Sequence, residues 1–172
     1  MSVKIYKIRK SFLIPLFIDT FFLFVLLVIA FFTEGYPAEK IILSFILIPA
    51  LYLLSEVIVR ETTIGMEGIT IKKLLRKKKI NWENITNVDT VILRKKVFLA
   101  LTTTTGFYVV SNSYGNFAGL VRDVVEQLSD GIVEERVKDF IKNPIHKISD
   151  IVGAWVAVFF LLAIIYMKMF IS

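Results

Sequence analysis

Residues Ile69–Ile85 read ITIKKLLRKKKINWENI, and eight of them, Lys72 to Lys79, include six cations: Lys72, Lys73, Arg76, Lys77, Lys78 and Lys79. Before the cations, isoleucine alternates with polar residues at the two-residue period of a strand, and KKKINW continues as another strand. The charge therefore sits on a β-hairpin. Outward from it, the chain is dominated by apolar runs on both sides.

Of 172 residues, 56% are hydrophobic, and the mean hydropathy is +0.70. This is well above a soluble domain of ordinary composition, so lipid is expected to solvate part of the chain. The absence of cysteine excludes disulfides, thiolate metal sites and thiol nucleophiles. His146 is the single histidine, in NPIHK, and no carboxylate or nucleophile partner is identifiable for it, so an interfacial role is expected. The formal net charge of +6 calls for an anionic partner or surface.

Three segments are long enough to cross a roughly 30 Å hydrocarbon core at about 1.5 Å per residue. Phe12–Phe32 holds one ionisable residue in 21, and Ile41–Val59 and Ile151–Met167 follow the same composition. TEGYPAEK joins the first two, which predicts a helical hairpin. The first apolar run is too long for a cleaved signal, so an uncleaved signal anchor is expected. Lys4, Lys7, Arg9 and Lys10 precede it, whereas the hairpin turn offers only Lys40 against Glu34 and Glu39. The positive-inside rule then puts the N-terminus and Arg60–Asp150 in the cytoplasm, with the C-terminus outside an inner (plasma) membrane. Lys168, near the outer end of the third span, is expected to snorkel to the headgroups.

From Arg60 the period shortens. Thr62–Ile64, Ile69–Leu74, KKKINW, NVDTVIL, VFLALTT and GFYVVSN read as six strands. Phe117, Leu120, Val121, Val124 and Leu128 then form one helical stripe behind Asn116, a suitable N-cap. A glycine entering a strand (GITIKK), a basic hairpin, the corner NWENI, further hairpins and a closing amphipathic helix resemble the bacterial pleckstrin-homology-like domain. The resemblance covers about residues 60–130 and implies a seven-strand sheet or partial barrel capped by a helix, with no catalytic activity. The expected architecture is thus an α+β membrane protein of three transmembrane helices, with this antiparallel module inserted between the second and third. Its divisions are an N-terminal basic segment and hairpin (1–59), the module (60–130), an amphipathic return helix (131–150) and the last span (151–172).

In an up-and-down meander starting where the second span exits, alternate turns fall at the membrane-near end. Those turns carry the Lys72–Lys79 cations and Arg94, Lys95 and Lys96, which predicts a basic collar over the anionic inner leaflet. The bland alternative is that these charges enforce topology and protect strand edges. No aromatic stacking residues interleave with the run, so nucleic acid is not expected. Within the membrane, Asp19 is a costly carboxyl, and Tyr52 and Ser55 lie at comparable depth as possible donors to it. TTTTG, Thr102–Gly106, lacks the glycines and lysine of a phosphate-binding loop. No catalytic, metal or cofactor constellation is expected. The leading expectation is a non-enzymatic adaptor or accessory subunit with a protein partner or as a homo-oligomer. A sensor of anionic headgroups is the alternative, and a transporter or channel accessory subunit the third.

Overall fold

A computed structural model describes residues 3–33, 36–93, 96–145 and 148–170. The turn residues Glu34 and Gly35, the hairpin cations Arg94 and Lys95, and His146 lie outside the described residues. In chain order the elements are β1 (Lys4–Lys7), α1 (Lys10–Phe32), α2 (Pro37–Val59), β2 (Glu61–Ile64), β3 (Gly68–Lys72), β4 (Lys77–Asn81), β5 (Ile85–Leu93), β6 (Lys96–Thr103), β7 (Gly106–Ser111), α3 (Phe117–Val125), α4 (Glu135–Lys142) and α5 (Ser149–Phe170). They form two compact units, Met1–Arg9 with Val59–Lys147, and Lys10–Ile58 with Ile148–Ser172.

The first unit is α+β, with seven strands among the described residues where sequence reading finds six. The additional strand is β1, whose Lys4–Lys7 pair antiparallel with Ile64–Glu61 of β2. Two antiparallel sheets result, β1-β2-β3-β4 and β5-β6-β7. Strand alternation places Ile69, Ile71, Val88, Val97, Leu99 and Leu101 inside, and each such side chain contributes about 1.5–3 kcal/mol by leaving water. A 3₁₀ turn at Trp82–Asn84 leads from β4 into β5, and Trp82 Nε1 donates to the Gly65 carbonyl at 3.0 Å. At another corner Ile8 bridges Tyr114, and Thr62 Oγ1 donates to the Tyr114 hydroxyl at 2.8 Å in the interior.

Two short helices, α3 and α4, complete the first unit. Asn116 caps α3 by accepting from the Gly119 amide at 3.0 Å. Asp123 of α3 accepts from Lys4 Nζ at 2.7 Å and from the Tyr6 hydroxyl at 2.6 Å, which fastens β1. Helix α4 is the amphipathic piece expected to return toward the bilayer. It packs instead on β5 and α3, burying Val137 and Phe140, with the Phe140 ring 5.5 Å from that of Phe117. Apolar positions at helical spacing explain this, because α4 has a core to bury them in.

The second unit holds three helices long and apolar enough to span a membrane: Lys10–Phe32, Pro37–Val59 and Ser149–Phe170. Pro15 and Pro49 lie inside α1 and α2 without ending them. Helix α1 packs along α5 rather than forming a close hairpin with α2. Lys168 of α5 does not simply snorkel, since it forms an ion pair with Glu39 of α2.

Candidate functional site

The β3–β4 hairpin sorts its cations by strand alternation. Ile71 pairs with Lys78 and Ile69 with Ile80, so Lys78 shares a face with three buried isoleucines. Lys77 and Lys79 share the opposite face with Lys72 and Thr70, their register mates. The turn closes through the Lys73 amide, which donates to the Arg76 carbonyl at 2.7 Å.

On the outer face two cations are paired off. Lys72 Nζ lies 3.2 Å from Glu61, a cross-strand neighbour that relieves the Lys72–Lys77 repulsion. Lys79 pairs with Glu67 and, through that hydrogen bond and its charge, holds the Glu67 carboxyl below its ordinary value. Among the described residues Lys73, Arg76 and Lys77 have no carboxylate partner. Lys78 Nζ stands 5.5 Å from the centroid of the Tyr108 ring, an arrangement stabilised by the ring's negative face.

Between this hairpin and β7, the free edges of the two sheets, lies a cavity of about 490 Å³. Lys73, Arg76, Lys77 and Lys78 line one side, Phe107 and Tyr108 the other, and among the described residues no carboxylate lines it. Its volume is that of a small-ligand site. Four cations with no acid favour an anion, and the aromatic wall supplies apolar contact beside them. The tertiary structure thus concentrates four of the expected collar residues and leaves Lys72 and Lys79 neutralised on the outer face. Sequence reading missed Phe107 and Tyr108. The available signal was GFYVV, Gly106–Val110, an edge strand without polar alternation.

Lys96 belongs to a different strand end and does not line the cavity. Beside it, the Asn112 amide donates to the Val97 carbonyl at 2.9 Å, and the Arg9 amide to Ser113 at 3.1 Å. In the first sheet Lys7, Glu61, Lys72 and Lys77 form one register row.

The intramembrane expectation requires a correction. Neither Tyr52 nor Ser55 donates to Asp19, whose Oδ1 is buried with no hydrogen-bond partner. Ser55 Oγ instead donates to the Leu51 carbonyl at 2.8 Å, since a helical serine reaches its own preceding turn more readily than a neighbouring helix. Among the described residues no group of three metal-ligating side chains occurs. In comparisons with known proteins, no family model, no curated protein and no solved structure matches the chain.

Proposed function

We propose that the protein is a non-enzymatic integral membrane protein whose pleckstrin-homology-like module binds anionic, phosphate-bearing lipid headgroups at the cytoplasmic surface. The observation that carries this reading is the acid-free cavity where Lys73, Arg76, Lys77 and Lys78 meet Phe107 and Tyr108. The module's likeness to the family is supported by its sheets of four and three strands and by the amphipathic helix that follows them. A cytoplasmic position follows from the cations before α1. Anchoring is already supplied by three spans, so the cavity's contribution is selectivity for headgroup charge.

Neutralising the three turn cations together, Lys73→Gln, Arg76→Gln and Lys77→Gln, tests the reading without touching a core side chain. At about 1 kcal/mol per cation, affinity for anionic lipid should fall roughly a hundredfold. Native mass spectrometry of the full chain, titrated with phosphatidylglycerol and with phosphatidylcholine, reads this directly. Unchanged retention of the anionic lipid would eliminate the headgroup site.

A second reading, accessory subunit of a membrane complex, is favoured by Asp19 and by the largely uncovered length of α2. An unpartnered carboxyl inside a bilayer is costly and usually faces protein. In this reading Asp19→Asn weakens capture of the neighbouring subunit by about 1 kcal/mol, several-fold in affinity. Crosslinking in native membranes followed by pull-down measures it, and an unaltered crosslink pattern would remove the role of Asp19.

A further inference from the structure

We infer that Leu75, at the tip of the β3–β4 turn, enters the headgroup–acyl boundary of the bilayer while the cations around it hold phosphate above. This rests on the headgroup reading of the cavity and adds how the cavity reaches its ligand. The turn is tight. The Lys73 amide donates to the Arg76 carbonyl at 2.7 Å and the Arg76 amide to the Lys73 carbonyl at 3.4 Å, which leaves Leu74 and Leu75 as its two central residues. Two-residue hairpin turns are ordinarily filled by Asn-Gly, Asp-Gly or Gly with a second residue, because these tolerate the backbone angles that the turn demands. A Leu-Leu pair offers no such freedom. Leu75 is also 81% exposed, more than any other large apolar side chain among the described residues of the β-module. Neither turn formation nor core packing accounts for it.

The residues on either side identify what covers it. Lys73, Arg76, Lys77 and Lys78 flank Leu75 in the sequence and line the cavity together with Phe107 and Val109, both exposed and apolar. No Asp or Glu occurs between Glu67 and Glu83, and Glu61 and Glu67 are already held by Lys72 and Lys79. Exposed apolar side chains interleaved with cations that no acid neutralises match a surface where hydrocarbon lies directly beneath anionic phosphate. A soluble anion would use the cations and leave Leu75 in water. Strand parity in the sequence, counted from the end of the second apolar run, assigns this same turn to the membrane-near end of the meander.

The chain's lack of cysteine permits a clean test. Full-length protein carrying Leu75→Cys, labelled with an environment-sensitive nitrobenzoxadiazole dye, is placed in vesicles of phosphatidylcholine and phosphatidylglycerol. Quenching is then measured with a lipid spin-labelled high on its acyl chain, matching an insertion depth of about 5–10 Å. Met66→Cys with the same dye, in the β2–β3 turn and 67% exposed at that residue, is the reference. Insertion requires blue-shifted emission at position 75 and quenching several-fold stronger than at position 66. Emission and quenching equal to the reference, the result expected if the cations serve a soluble anion, would overturn the proposal. A blue shift without lipid quenching would also overturn it, by showing that protein covers the tip. Lost insertion beside lost phosphatidylglycerol retention in the Lys73→Gln, Arg76→Gln, Lys77→Gln protein leaves the headgroup reading standing. Strong quenching at position 75 with phosphatidylglycerol still retained by that variant removes the headgroup reading instead.

Discussion

Alanine at Gly68 should open the β3–β4 hairpin and destabilise the β-module by more than about 3 kcal/mol, in the severe tail of single substitutions. Gly68 begins β3 opposite Asn81 of β4. A Cβ there would lie 2.0 Å from the Ile80 carbonyl oxygen and 2.8 Å from the Asn81 Cα. Both are backbone atoms, so no side-chain rotation relieves the overlap, and the strands must separate. Separation breaks the Ile69–Ile80 contact in the core and the register that turns Lys78 toward Tyr108. Hydrogen exchange on the purified full chain should show lost protection across β3 and β4, with α1, α2 and α5 unchanged. Wild-type protection in β3 and β4 would refute this account of the hairpin.

Asp123→Ala should be the next most damaging change, at about 2–3 kcal/mol, because it removes the acceptor that fastens β1. Lys4 is half exposed and can turn to water, so its share is discounted for solvent screening. The larger loss is at Tyr6, whose hydroxyl is raised well above its ordinary value by burial and by donating to Asp123. Burial of Asp123 by itself would raise its carboxyl. The hydrogen bonds from Lys4 and Tyr6 and the charges of Lys4 and Arg122 outweigh it, leaving the carboxyl below its ordinary 3.8. A depressed carboxyl stabilises the fold fully above the unfolded value and loses that contribution as pH falls through the folded value. Wild-type protein should therefore lose stability progressively as pH drops below 3.8, a dependence weakened in Asp123→Asn. Melting curves of both proteins in detergent across that window check the sign. Equal acid sensitivity would show that other carboxylates carry it.

The same contact redefines the module. A fragment beginning at Arg60 retains the six strands legible in the sequence but lacks β1, leaving one edge of β2 unpaired and Asp123 without its two donors. KIYK, Lys4–Lys7, is a weak strand signal, since it is only four residues long and Ile5, its one aliphatic, faces outward. Its cations also serve topology, which accounts for them without any strand. Its partner is more than fifty residues away in sequence, beyond two long apolar helices, and no local pattern encodes that pairing.

Local physics was legible where each residue's neighbour in the chain is also its neighbour in space. Length and apolarity marked three helices able to span a membrane, strand-like patterning and the turn at Gly106 marked β2 to β7, and the stripe behind Asn116 marked α3. The expected basic hairpin was also visible, as were its six cations. What they face was not, because a sheet sends successive residues to opposite sides and only the second sheet supplies Phe107 and Tyr108. Likewise composition recognises membrane helices but does not choose which pair packs. Lipid is as apolar as the helix surface, so shape and a few polar contacts decide that α1 lies along α5 and that Lys168 meets Glu39. The sequence by itself determined the elements and which helices are long and apolar enough to span a membrane. Tertiary structure decided the seventh strand, the cavity and the helix pairing, since each depends on contacts between residues distant in the chain.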